Sequence, residues 1–183
     1  EVLMLGGRYC ATRLREGLAV VDLPRAWERV RYERYLGMLG NETSATQRLL
    51  FAETVPLSAA EACIAREIAG DLEAVGFDFR IGEESMTVTG IPADLPDVGV
   101  GQAVREMLSE FRESERLSPD DRIRRTAAVV ARCGAMTSRD AMDADAVREL
   151  LREWLRCEGF NYTPDGRPVM TVLTVEELAK RLK

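Results

Sequence analysis

The stretch Arg8-Tyr9-Cys10-Ala11-Thr12-Arg13-Leu14-Arg15-Glu16-Gly17-Leu18-Ala19-Val20-Val21-Asp22 decides the fold. Arg8–Leu14 predicts a strand, Arg15-Glu16-Gly17 a turn, and Leu18–Asp22 the returning strand. Directly behind it Pro24 suits the first turn of a helix, where its missing N–H costs nothing. That helix runs to about Leu39, with Trp27, Val30 and Leu36 on its apolar side, and Gly40-Asn41 ends it. Working outward, Gln47–Leu57 is extended. Ser58-Ala59-Ala60-Glu61 is a capping box before one helix to Val75, whose apolar stripe is Ala60, Ile64, Ile68, Leu72 and Val75. Phe77, Phe79 and Ile81 alternate with polar residues, as do Met86 and Val88, with Gly82–Ser85 between them: a hairpin. Three helices follow, marked by Val104, Met107, Leu108 and Phe111, then by a Ser118 cap with Ala127 and Val130, then by Val147, Leu150, Leu151, Trp154 and Leu155. Val169–Leu173 is a strand, and Thr174 caps a last short helix. Hairpins and helices come in blocks without βαβ alternation, so the fold class is α+β.

Composition bounds the function. The chain has 183 residues, 46% hydrophobic and 31% charged, with a mean hydropathy of −0.16, which suits a folded soluble domain. There is no His, which excludes Ser-His-Asp and Cys-His catalysis, His-ligated zinc and a His pH switch. The formal net charge is −6, which disfavours phosphate-driven nucleic-acid binding. Lys occurs only at Lys180 and Lys183; the many Arg, including Arg122, Arg124, Arg125, Arg25 and Arg29, read as solvated helix faces. Cys10, Cys63, Cys133 and Cys157 form no CxxC pair, so no zinc site is expected, and Cys10 and Cys63 read as buried thiols. No apolar run reaches the roughly 20 residues of a membrane span and no signal peptide is visible, so a reducing cytoplasm is expected. Glu1 leads directly into apolar residues, as in a domain cut from a longer protein.

An ordered set of residues carries a resemblance: Gly7-Arg8-Tyr9, Gly17–Asp22, Ala26-Trp27-Glu28-Arg29, Tyr32-Glu33, Leu49-Leu50-Phe51 with Glu53, Val55 and Leu57, and Asn161–Pro168. Together they resemble the C-terminal domain of the MutL family of DNA mismatch-repair proteins over almost the whole chain. The resemblance implies two subdomains: a dimerisation subdomain of residues 1–52 and 141–183, and an inserted regulatory subdomain of residues 53–140. It also implies an upstream ATPase domain on a flexible linker, a homodimer that closes a ring around DNA, and contacts with other mismatch-repair proteins. DNA is then a partner only through the longer protein, and no membrane or cofactor is involved. The dimer interface is expected at Val20, Val172 and Leu173.

Many members of that family are latent endonucleases. Their motif of Asp-Gln-His-Ala, two residues, Glu, four residues and Glu is met here by Asp22, Glu28 and Glu33, but Leu23, Pro24 and Arg25 replace Gln-His-Ala. Their Cys-Pro-His-Gly-Arg-Pro segment becomes Thr163-Pro164-Asp165-Gly166-Arg167-Pro168. Their Ala-Cys-His segment falls on Ala131-Arg132-Cys133, with Cys133 usable only after a one-residue shift. Glu28 and Glu33 stand about 140° apart round a helix and cannot chelate one ion from one face. Asp22, Glu28, Glu33, Cys133 and Asp165 are therefore expected to be vestigial, the acids being helix-start and surface residues, with no metal and no catalytic residue. A residual metal-dependent nuclease using Asp22, Glu28 and Asp165 is the alternative within the family; a generic α+β regulatory module is the alternative outside it.

Gln47-Arg48-Leu49-Leu50-Phe51 resembles the short peptide by which MutL proteins contact the replication sliding clamp. Gln47 offers an amide, and Leu49, Leu50 and Phe51 offer apolar groups for a greasy pocket. Ala52 departs from the Pro common there. In a regular strand Leu49 and Leu50 point to opposite faces, so docking requires a local bend. Ser44, Ala45 and Thr46 leave that side without a strong strand former.

Overall fold

A computed structural model describes residues 2–40, 45–95, 99–112, 118–137 and 142–183. In chain order the strands are β1 (Val2–Leu5), β2 (Tyr9–Leu14), β3 (Gly17–Asp22), β4 (Thr46–Pro56), β5 (Asp78–Ile81), β6 (Ser85–Pro92) and β7 (Met170–Thr174). The helices are α1 (Leu23–Gly40), α2 (Ala59–Glu67), α3 (Ala69–Ala74), α4 (Val100–Arg112), α5 (Pro119–Thr137), α6 (Ala144–Trp154) and α7 (Val175–Arg181). The fold is α+β with two antiparallel sheets. Among the described residues no helix is long and apolar enough to cross a membrane.

The chain forms two compact units, Glu1–Arg31 with Arg139–Lys183, and Tyr32–Ser138. The expected division at 52/53 differs from the observed one at 31/32, inside α1. The reason is that β4 pairs with β6 and so belongs wholly to the second unit. The other expected limit, 140/141, and Asn41 lie outside the described residues.

In the first unit the sheet order is β1-β2-β3-β7. The hairpin expected at residues 8–22 is present, and β1, which was not anticipated, adds an edge strand to it. β7 lies so close to the start of β3 that a Cβ on Gly17 would stand 2.1 Å from the Leu173 carbonyl oxygen; only glycine fits. Cross-strand partners share a face and neighbours along a strand alternate. Met4, Cys10, Val21 and Met170 therefore form one row, beside Val2, Thr12, Ala19 and Val172 on the same face. Cys10 and Val21 pack there with Leu23, Ala26, Val30, Val147, Leu150, Trp154 and Val169 as the core. Asp143 caps α6 by accepting the Ala146 N–H at 2.8 Å.

In the second unit the sheet order is β4-β6-β5. Its core gathers Tyr35, Val55, Ile68, Leu72, Met86, Val88, Val104, Met107, Leu108 and Val130. The single helix expected from Ser58 to Val75 is two, broken at Ile68, two residues before the weak helix former Gly70. The Ser58 and Glu61 capping box is present. Ile64, Ile68, Leu72 and Val75 pack into the core as expected and Ala62 and Ala65 join them, whereas Ala60 and Cys63 are exposed. In a segment as rich in alanine as Ala59–Ala65, hydrophobicity alone does not fix the phase.

Candidate functional site

Asp22 ends β3 and caps α1, accepting the Arg25 N–H at 3.3 Å. Its residue is 6% exposed. A buried carboxylate needs a counter-charge, and Arg8 supplies it: Nε and Nη2 donate to Oδ2 at 3.2 and 2.9 Å. The Asp22 bond raises the Arg8 pKa, so that guanidinium stays charged. Arg25 Nε lies 3.5 Å from the same oxygen, while its Nη1 donates to the Pro168 carbonyl at 2.7 Å. Pro24 sits in the first turn of α1, as its chemistry predicts.

Glu28, one and a half turns further along α1, is 5% exposed. Arg167 reaches it from the segment between α6 and β7, donating from Nη2 to Oε1 and Oε2 at 3.1 and 3.0 Å. The same guanidinium donates from Nε to Asp165 Oδ1 at 3.0 Å. Thr163 holds this turn: its buried hydroxyl accepts the Arg167 N–H at 3.0 Å and donates to Asp165, while its own N–H donates to the Arg167 carbonyl at 2.9 Å. Burial alone would raise the Asp165 pKa; the bonds from Thr163 and Arg167 outweigh it and hold the carboxyl below its ordinary value.

Three of the expected vestigial positions, Asp22, Glu28 and Asp165, are thus joined by Arg8, Arg25 and Arg167. The expectation that these acids are surface residues is corrected for Asp22 and Glu28, which are buried and paired. Glu33 and Cys133 belong to the second unit. Cys133 is buried; desolvation, and then the neighbouring Glu106 carboxylate, push its thiol up to about 12. Arg132 donates to Glu110 Oε1 at 2.6 Å. The donor set does not fit a divalent metal: its carboxylates are already neutralised by guanidinium groups of the same chain. Among the described residues no three His, Cys, Asp or Glu side chains gather into a metal-sized cluster.

The Arg expected on solvated faces are also paired in part. Arg122 meets Asp71 at 2.9 Å, Arg125 donates to the Glu110 carbonyl at 2.8 Å, and Arg29 donates to the Glu158 carbonyl.

The segment Gln47–Phe51 lies on β4, and the strand is not regular there. Arg48 pairs with Gly90 and Glu53 with Val88, so the four residues Leu49–Ala52 oppose the single Thr89. Leu49 packs against the core of the second unit, while Leu50 and Phe51 are 88% and 82% exposed. The N-terminal side is anchored, contrary to expectation: Thr46 pairs with Pro92, and the Ala93 N–H donates to the Ala45 carbonyl at 3.0 Å. Ser44 lies outside the described residues.

The other face of the first unit's sheet carries Leu3, Ala11, Val20 and Thr171 in one row, with Leu5 and Tyr9 on one side and Leu18 and Leu173 on the other. None of these packs in the helix-covered cluster of the unit; Ala11 is buried at 2% exposure, Leu18, Val20 and Leu173 are half-buried, and Leu3 is 63% exposed. Of the three residues expected at the interface, Val172 lies on the inner row, while Val20 and Leu173 share the outer face. Strand alternation alone separates Val172 from Leu173. Arg8 and Arg167 stand in the segments that carry the resemblance and Arg25 in the altered motif, but nothing in the sequence pairs them with the acids.

A family model described as the MutL C terminal dimerisation domain matches residues 2–142. The DNA mismatch repair protein MutL of Parabacteroides distasonis is 29% identical over 178 residues, covering 97% of this chain and 29% of the relative. That of Bacteroides fragilis is 31% identical over 179 residues, with the same coverages. That of Symbiobacterium thermophilum is 32% identical over 181 residues, covering 96% of this chain and 28% of the relative. The chain therefore spans less than a third of the length of these relatives. The family match and the relatives agree: the chain belongs to the family of MutL C-terminal dimerisation domains.

Proposed function

We propose that this domain joins two copies of its chain through the outer face of the β1-β2-β3-β7 sheet and catalyses no reaction. The observation that carries the reading is the apolar row Leu3, Ala11, Val20 beside Leu18 and Leu173, on a face that no helix core of the unit uses. An exposed apolar sheet face is a docking surface rather than a resting state in water, and the family description supplies the occupant, a second copy. Val20 and Leu173 are central to it. The absence of catalysis is supported by Arg8, Arg25 and Arg167 neutralising Asp22, Glu28 and Asp165. Carried by a longer MutL protein, two such domains close a ring around DNA, in a cytoplasmic repair assembly with other mismatch-repair proteins. Val20→Glu tests the interface. The charge enters a half-exposed position of one copy, so the fold is retained, and light scattering is expected to give a monomer near 20.4 kDa. A variant that keeps twice that mass overturns the assigned face.

The second unit, on this reading, recruits the replication sliding clamp through Gln47, Leu49, Leu50 and Phe51. The bulge that displays Leu50 and Phe51 supports it, since apolar side chains exposed together favour a partner's pocket. A contact of a few residues buries far less than the ~1,200 Å² of a standard interface, so the affinity is weak and suits transient recruitment. Gln47→Ala with Leu50→Ala is expected to weaken clamp binding at least about tenfold, the loss of roughly one hot-spot contact, with dimer mass and thermal midpoint unchanged. Equal binding by the double variant removes the clamp from this reading.

A further inference from the structure

The bulge in β4 is pinned at both ends. On its N-terminal side Arg48 pairs with Gly90, and a Cβ on Gly90 would stand 2.6 Å from Thr46 Cγ2 and 3.1 Å from Asp78 Cβ. The two neighbouring strands close tightly there because that side chain is missing. On the C-terminal side Glu53 re-enters the ladder opposite Val88 and turns its carboxylate onto α4, where Oε1 accepts the Gly101 N–H at 2.9 Å. This amide is in the first turn of α4, where N–H groups have no partner within the helix and negative charge is favoured. A Cβ on Gly101 would lie 2.4 Å from Glu53 Oε1, the movable end of that side chain, so an added methyl group displaces the carboxylate.

Between the pins, Leu49–Ala52 oppose Thr89 alone. Left to itself such a stretch gains by shifting register or folding Leu50 and Phe51 back onto the sheet, since covering large apolar side chains is favourable. A one-residue shift at Glu53 would carry its carboxylate to the other face of β4, away from α4. The Glu53–Gly101 bond therefore selects the bulged register over the regular one.

We propose that Glu53 is the positioning residue of the docking segment: its hydrogen bond to Gly101 fixes the end of the β4 bulge, so that Leu50 and Phe51 stay displayed to a partner. The partner's identity rests on the clamp reading above; the display does not.

The test compares wild type, Glu53→Ala, Glu53→Gln and Gly101→Ala by titration against the purified sliding clamp and by hydrogen exchange of the amides of residues 49–52. Glu53→Ala is expected to weaken clamp binding about tenfold, the effect of losing one hydrogen bond to a charged group, and to speed exchange in the bulge. Glu53→Gln keeps an acceptor oxygen and restores most of both. Gly101→Ala drives the carboxylate off the helix and behaves like Glu53→Ala. Equal clamp affinity in wild type and Glu53→Ala overturns the proposal. If wild type itself does not bind the clamp, the clamp reading falls, and exchange alone then decides Glu53: faster exchange in Glu53→Ala supports it, unchanged exchange overturns it.

Discussion

Arg167 donates from one nitrogen, Nη2, to both carboxylate oxygens of Glu28, a residue 139 positions away in the chain. The pair ties the segment before β7 to helix α1. Glu28 is nearly enclosed, whereas the Arg167 side chain is 42% exposed. Removing the arginine leaves a buried carboxylate without this counter-charge, a large cost when both partners are enclosed. Discounted for the exposure of Arg167, the expected loss for Arg167→Ala is about 1–2 kcal/mol. At about 2–4 °C per kcal/mol for a chain of this size, the thermal midpoint falls by roughly 2–8 °C. Adding Glu28→Gln to Arg167→Ala recovers part of the loss, because the stranded charge is gone. A double variant that loses the sum of the two single effects contradicts the pairing.

Asp165 gives the pH dependence its sign. Its carboxyl is held below the ordinary value by Thr163 and Arg167, against the effect of burial. A depressed folded-state pKa contributes stability that is present above the unfolded value, near 4, and lost as pH falls through the folded one. Thermal midpoints measured from pH 6 down to pH 3 are expected to decline more steeply for wild type than for Asp165→Asn. Parallel curves contradict the assignment.

The thiols divide by burial. Cys63 is exposed, and Cys10 and Cys133 are buried. Desolvation raises both buried thiols, Cys133 to about 12 with Glu106 adding to it. At pH 8 an aromatic disulfide reagent is expected to label Cys63 first, with Cys10 and Cys133 reacting only on unfolding. Rapid labelling of Cys133 in the folded domain contradicts the described packing.

Much of the fold was legible because its signals are local. The Pro24 helix start and the caps at Ser58, Ser118 and Thr174 depend on neighbours within four positions, and the hairpin of residues 8–22 joins strands that adjoin in the chain through one short turn. β1 was not legible, since Val2–Leu5 is a short apolar run that becomes a strand only by pairing with Tyr9–Thr12. In α2 the expected Ile64 faces the core but Ala60 and Cys63 do not, because small side chains on every side carry little directional information. At the site, the acids were visible from their spacing, but their burial was not: Arg8 and Arg167 reach them through tertiary structure. A bend in β4 was required by the docking reading, but the form it takes was not legible: Gly90 and Gly101, which close on its two ends, lie far along the chain.

The neutralised acids also make a chemical prediction. Supercoiled plasmid incubated with the purified domain and Mn²⁺ is expected to stay uncut, because an ion at Glu28 must first displace the Arg167 guanidinium. Nicking that disappears in Glu28→Ala contradicts the non-catalytic reading.

Association of two copies is the central claim, and the mass in solution tests it most directly. Light scattering on the wild-type domain across micromolar concentrations is predicted to give about twice 20.4 kDa, as expected when an apolar sheet face is covered by its own copy. A mass of one chain throughout that range would contradict the account.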